Sequence, residues 1–200
     1  MTSLVYPDHF VVHFLSFLKE PRGLRALDAG CGGGRNSLFL AGAGMQVVGV
    51  DQSDGMLARA KTSVAETQCV IDLLQGKLEA LPFADGAFDV VICASVLETM
   101  THQATSQAMR ELGRVLKPAG YLLVVTAAAE GSEPGYSEEG PEQTPLKARL
   151  STREDLLIRS LNFDVVELLR LELVEPASAP VRAQWALVAR KRSAANLPSF

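Results

Sequence analysis

Hydrophobic positions in this chain come in short dense runs separated by stretches of helical periodicity. The runs Leu24 to Ala29, Gly44 to Val50, Cys69 to Leu74, Phe88 to Cys93 and Tyr121 to Thr126 are mostly apolar and suit strands buried on both faces. Between them the period lengthens. Asn36 to Ala43 is helix-compatible, Met56, Leu57 and Ala60 follow a cap-like Gln52-Ser53-Asp54, and Met109, Leu112, Val115 and Leu116 repeat at helical spacing within Ser106 to Leu116. Upstream, Tyr6 to Leu18 carries Phe10, Val11, Phe14, Leu15, Phe17 and Leu18 as one apolar face of a helix that stops before Pro21-Arg22-Gly23. Ser151 to Asp155 is a capped helix start, and Phe163 to Leu173 and Arg182 to Arg190 close the chain as two strands expected to pair antiparallel at a sheet edge. Strand alternating with helix predicts an α/β fold of the doubly wound, Rossmann-like kind with helices on both faces and an extra N-terminal helix.

The break in this pattern is Asp28-Ala-Gly30-Cys31-Gly32-Gly33-Gly34-Arg35-Asn36, where a strand ends in an acid and turns through glycines into a helix. Glycine accepts φ > 0 and lets backbone approach a ligand, and a helix N-terminus adds a positive end. A dinucleotide fingerprint would need glycine at position 35 or 37, which are Arg35 and Ser37. No Gly-Lys-Ser/Thr follows, so a nucleoside-triphosphate loop is also excluded. The spacing present is acid-x-Gly-x-Gly-x-Gly: Asp28, Gly30, Gly32, Gly34. This resembles motif I of the class I S-adenosylmethionine (SAM) dependent methyltransferases. SAM has no pyrophosphate; its amino-acid end carries an ammonium and a carboxylate, which an acid and free loop amides complement.

Further residues extend the resemblance over roughly residues 25 to 190. Asp51 ends the second strand about twenty residues after the glycines, where a doubly wound fold places the acid that takes two ribose hydroxyls. Gly76-Lys77-Leu78-Glu79-Ala80-Leu81-Pro82-Phe83 is similar to a family segment whose aspartate accepts from the adenine amino group; here that position is Lys77, a donor, so either a backbone carbonyl or Glu79 replaces it, with Leu78 packing on the ring, or adenine recognition is weaker than usual. Phe88-Asp89-Val90-Val91 matches the element leading into strand four, and Arg114-Val115-Leu116-Lys117-Pro118-Ala119-Gly120 matches an architectural turn with Ala119 in place of a glycine. The resemblance implies a seven-stranded sheet of order 3-2-1-4-5-7-6 and a cofactor set of Asp28, Gly30, Cys31, Gly32, Gly34, Arg35, Asn36, Asp51, Gln52, Met56, Lys77, Leu78, Glu79 and Ala94, with Met56 either against the adenine or in the core. Within the family, Gly-Gly-Gly-Arg-Asn-Ser-Leu is similar to tellurite-resistance and thiopurine-type small-molecule methyltransferases.

On the acceptor side the resemblance makes residues 1–22 a lid helix, with Tyr6, His9 and His13 facing substrate. His13 leads as a general base, with Glu98 and His102 after strand four behind it. Residues 127–150, rich in glycine, proline and glutamate, are expected to be a lid loop, with Tyr136, Glu138 and Glu139 completing a negative acceptor pocket; the tail from 191 is expected to fray.

Composition narrows the partners. Two hundred residues suit a single domain, here 1–190, and 48% hydrophobic content with mean hydropathy +0.14 excludes a disordered chain. A formal charge of −4 argues against nucleic acid and anionic membrane surfaces, no apolar run spans a bilayer, and no signal peptide is visible. The absence of an Asn/Asp-Pro-Pro-Tyr/Phe tetrapeptide also argues against methylation of nucleic-acid bases. Cys31, Cys69 and Cys93 have no paired spacing, so neither a disulfide framework nor a metal site is expected, and the simplest setting is the reducing cytoplasm. The expected function is methyl transfer from SAM to a small-molecule acceptor by a monomer or homodimer; the alternative is a non-catalytic SAM-binding regulatory or interaction module.

Overall fold

The dense apolar runs become the strands of one sheet. The computed structural model describes residues 6–128, 152–173 and 182–193. Its strands are β1 (Arg25–Ala29), β2 (Gln46–Asp51), β3 (Ile71–Gln75), β4 (Phe88–Ala94), β5 (Leu116–Ala127), β6 (Phe163–Leu173) and β7 (Arg182–Lys191). They lie in the order β3-β2-β1-β4-β5-β7-β6. Strands β1 to β5 pair in parallel, and β7 runs antiparallel to both β5 and β6. Chain order reverses between β1 and β4, which opens a crevice beyond their carboxyl ends.

The helices are α1 (His9–Phe14), α2 (Arg35–Gly42), α3 (Asp54–Ala65), α4 (His102–Val115) and α5 (Arg153–Arg159). Strand periodicity sorts the core into two layers. Phe10, Val11 and Phe14 of α1 and Leu40 of α2 pack with Ala26, Ile92, Leu123 and Val188 on one face. On the other, Met109, Leu112 and Val115 of α4 pack with Leu27, Val91, Val124 and Leu187. The cap residues act as read: Ser53 Oγ accepts from Met56 N, and Thr152 Oγ1 accepts from Asp155 N.

Two elements differ from the expectation. The N-terminal helix is shorter, because Asp8 caps it by accepting from Phe10 N at 2.9 Å and it tightens into a 3₁₀ turn at Leu15–Phe17. Strand β7 reaches Lys191, so the tail starts later than expected; residues 194–200 lie outside the described residues, as does all of the expected lid loop except Ala127 and Ala128.

No helix joins β3 to β4. Arg114 of α4 fixes that connection instead. Its guanidinium donates to the carbonyls of Leu81 and Phe83, to Asp85 and to Glu111, and Glu111 Oε2 accepts from Leu81 N at 2.8 Å. This clamp fixes the stretch from Leu81 to Asp85, directly after Leu78 and Glu79. At the start of β5, Phe88 pairs with Leu116 and Val90 with Tyr121, so Lys117 to Gly120 bulge opposite Asp89 alone. Ala119 is held there at φ 62°, and a Cβ on Gly120 would sit 2.8 Å from the Asp89 carbonyl oxygen. Lys117 Nζ closes the bulge on Asp89 Oδ1 at 2.7 Å and, with the Arg25 amide, holds that carboxyl below its ordinary range.

Candidate functional site

The glycine loop between β1 and α2 is built by its own backbone. The Gly30 and Cys31 amides both donate to the Val50 carbonyl, at 2.7 and 3.0 Å, and Gly34 N donates to Cys31 O. Gly30, Gly32 and Gly34 have φ of 79°, 53° and 84°, the left-handed region that the spacing anticipates. Packing also excludes a side chain at Gly30, where a Cβ would lie 2.3 Å from Val96 Cγ2; at Gly32 and Gly34 it would press more lightly, at 3.1 Å from Met56 Cε and 3.2 Å from the Ala60 Cβ.

Asp51 ties this loop to β2. Its Oδ2 accepts from Gly32 N and its Oδ1 from Ser53 N, both at 2.9 Å. Each oxygen retains acceptor capacity for a further donor. The carboxylate faces a cavity of about 480 Å³ at the crevice, which is also lined by Gly30, Gly32, Gln52, Met56, Leu78 and Glu79. Leu78 is buried and Met56 is 36% exposed, so two apolar side chains share the cavity lining with the acid. Asp51 and these six residues are expected site residues that the fold brings together.

Other expected residues stand behind or away from that cavity. Asp28 is 1% exposed and accepts from Ser37 Oγ at 2.5 Å. Burial raises its pKa from 3.8 to about 6, against the lowering effect of Ser37 and Arg35. Cys31 is buried against Gly49, and burial together with Asp28 and Asp51 pushes its thiol far up, which leaves a filler and no nucleophile. Gly34 packs on α3. Arg35 Nη2 lies 3.5 Å from Asp8 Oδ2, and the buried Asn36 accepts from Asp8 N at 2.9 Å, so both residues dock the N-terminal segment. Lys77 turns outward beside Ala80, and Ala94 packs in the apolar layer under α1. The expectation that loop amides are free to hold a ligand is corrected: those of Gly30, Cys31, Gly32 and Gly34 are spent within the protein, and among the described residues Gly33 N is the loop amide that donates to none of them.

The three base candidates separate. His13 is exposed, with Nε2 2.7 Å from Glu167 Oε2 on β6 and its ring edge-on to Phe17. This pairing ties α1 to the outer strand and does not put the imidazole among the cavity-lining residues. Tyr6 is 71% exposed and His9 stands exposed beside Phe10. His102 is on the far side of the α4 start, with Nδ1 3.0 Å from Arg159 Nη2. Glu98 lies at the ends of β4 and β5. It is 9% exposed, accepts from Thr126 Oγ1 at 3.2 Å, and burial followed by Asp8 raises its pKa.

The structure adds residues that the sequence did not single out for the cofactor site. Ser95, Val96, Thr99, Met100, Thr101 and Ala104 complete the cavity. Ser95 turns at φ 58° directly after β4, a left-handed non-glycine residue at the crevice edge. A signal existed, since this segment follows strand four, but nothing in residue type marks a serine as left-handed. Trp185 lies opposite Thr126 in the β5–β7 register, and its indole N–H is buried with no partner among the described residues.

Residues 27–124 match the family model described as a methyltransferase domain. That stretch is similar to the domain of class I SAM-dependent methyltransferases. Over 122 residues the chain is 36% identical to the ubiquinone biosynthesis O-methyltransferase of Azorhizobium caulinodans, covering 60% of this chain and 47% of that one. The chain spans about half the length of the curated relatives it matches. In fold, the chain resembles a SAM-dependent methyltransferase from Methanosarcina mazei, with TM-score 0.77 and 23% identity over 91% of this chain and 97% of that one. It also resembles TehB from Haemophilus influenzae, with TM-score 0.73 and 19% identity over 93% and 63%. The seven-stranded order is the one expected for this family. The residues fit its cofactor, because an acid with spare acceptor capacity and apolar flanks suits a ribosyl adenine.

Proposed function

We propose that the protein binds SAM in the β1/β4 crevice and transfers its methyl group to a small-molecule acceptor. The observation that carries this reading is Asp51, whose two oxygens are each oriented by one backbone amide and face the cavity. Asp51 would take the ribose hydroxyls. Leu78 and Met56 would bracket the adenine, and Glu79 would accept from its amino group. Asp28 acts from beneath, by fixing the loop through Ser37 and by placing negative charge near the ammonium end. SAM supplies an already activated methyl, so alignment for in-line displacement is the protein's main contribution.

We assign the acceptor's proton to Glu98, which does not itself line the cavity but lies between Val96 and Thr99, which do. Burial favours its neutral form, Thr126 orients it, and the buried Trp185 N–H offers a donor on the same face of the sheet. An oxygen acceptor is the reading favoured, because the Azorhizobium relative is named an O-methyltransferase and a hydroxyl needs a base more than a thiol does. We place the protein in the cytoplasm, because Cys31, Cys69 and Cys93 are free thiols, and read it as a monomer or homodimer without a nucleic-acid partner, in keeping with its formal charge of −4.

The test is incubation with methyl-labelled SAM and a panel of phenols, carboxylates, thiols, metalloid anions and amines. Label transferred to a phenol or carboxylate, and lost in Glu98→Gln, is the expected result. SAM binding with no transfer to any acceptor would favour a non-catalytic module.

A further inference from the structure

A second cavity, of about 760 Å³, lies between α4 and α5 and is larger than the one at the crevice. Its chemistry runs against the rest of the chain. The whole sequence carries a formal charge of −4, yet Arg110, Arg114, Arg159, Lys191 and Arg192 line this space against one carboxylate, Asp155. Not all of these cations are available. Arg114 is committed to the β3–β4 clamp, and Arg159 donates to Ser106 Oγ at 2.8 Å and approaches His102. Arg110 makes no side-chain hydrogen bond or ion pair with a described residue, Lys191 spends one donor on the Leu116 carbonyl, and Arg192 pairs with an exposed Asp164 that water or another anion can replace.

The same space has apolar walls. Met109 and Phe163 are buried at its base, while Ile158 on α5 is 65% exposed at its side. An isoleucine left open beside several cations offers a surface for a hydrocarbon body rather than for a bare ion. The volume falls within the range of small-molecule sites, about 300–1,000 Å³. The crevice lies on the other side of the start of α4: Thr101 and Ala104 line the crevice cavity, whereas His102 and Ser106 line this one.

We propose that the cavity between α4 and α5 is a second ligand site, selective for an organic anion with an apolar body. Arg110 and Lys191 meet the anionic group, and Ile158, Met109 and Phe163 meet the body. Burial lowers the Lys191 pKa, which strengthens the preference for a ligand that brings a compensating negative charge.

The test uses three probes by fluorescence and competition: anilinonaphthalene sulfonate (an anion on an aromatic body), the neutral N-phenylnaphthylamine (the body alone) and inorganic phosphate (the anion alone). Wild-type protein is expected to bind the sulfonate at one site and the other two at least about ten-fold more weakly, since the charge-assisted bonds and the apolar contact each contribute. Arg110→Glu and Ile158→Ser, both exposed positions, should each weaken sulfonate binding by about ten-fold and leave SAM titrations unchanged. The proposal is overturned if the sulfonate does not bind, if both variants bind it as tightly as wild type, if the neutral probe or phosphate binds equally well, or if saturating SAM displaces it.

Discussion

Replacing Asp28 by asparagine isolates the electrostatic strain built under the glycine loop. In the folded protein burial raises the Asp28 pKa from 3.8 to about 6. The folded state therefore holds the proton more tightly than the unfolded chain. Its contribution to stability is fully present below pH 3.8 and is lost as pH rises through about 6. At about 1.4 kcal/mol per pKa unit, ionisation of this one group costs about 3 kcal/mol by pH 8. Roughly half of that, about 1.5 kcal/mol, falls between pH 5 and pH 8. The substituted amide cannot ionise, and its carbonyl can still accept from Ser37. Glu98, raised in the same direction, is present in both proteins and cancels. Urea denaturation of the two proteins at both pH values should show the stability difference moving by about 1.5 kcal/mol in favour of Asp28→Asn on going from pH 5 to pH 8. A difference that stays constant across that interval would defeat the prediction, because Asp28 would then not titrate there.

Other substitutions probe neighbouring parts of the molecule. Gly30→Ala, which meets both a positive φ and the Val96 side chain at 2.3 Å, should destabilise by about 2–4 kcal/mol in thermal or urea unfolding. Ala119→Gly should stabilise by about 1 kcal/mol by relieving the left-handed strain in the β5 bulge. Arg114→Lys cannot satisfy Glu111, Asp85 and two carbonyls at once, so it should loosen Leu78 and Glu79 and weaken SAM binding about ten-fold, read by calorimetry. His13→Ala removes an exposed pair with Glu167 and should cost less than about 1 kcal/mol while leaving methyl transfer intact.

Most of the fold was legible because buried parallel strands announce themselves as continuous apolar runs. Val47 to Val50, Val90 to Cys93 and Leu122 to Val125 could hardly be anything else. Asp51 was legible as well, since its place at the end of β2 follows from topology. The uses of hydrogen bonds were not legible. The loop amides of Gly30 and Cys31 turn to Val50, Asp28 turns to Ser37, and Arg35 and Asn36 turn to Asp8, each a tertiary partner that spacing does not encode. The histidines misled for a related reason. Their residue type fits acid–base chemistry, but His13 lies on a helix whose buried face is Phe10, Val11 and Phe14, and that packing points it at Glu167. Glu98 stood behind His13 in the sequence, and its burial against Thr126 could not be read there, because burial near a strand end is a property of the fold.

Whether the ribose of SAM rests on Asp51 is decided by isothermal titration of SAM into wild-type protein and Asp51→Ala at one pH and salt. Wild type is expected to show one site per chain, and the variant a loss of about 1.5–3 kcal/mol from the removed charged hydrogen bonds. Equal affinity in the two proteins would contradict this, because Asp51 would then carry none of the cofactor's binding.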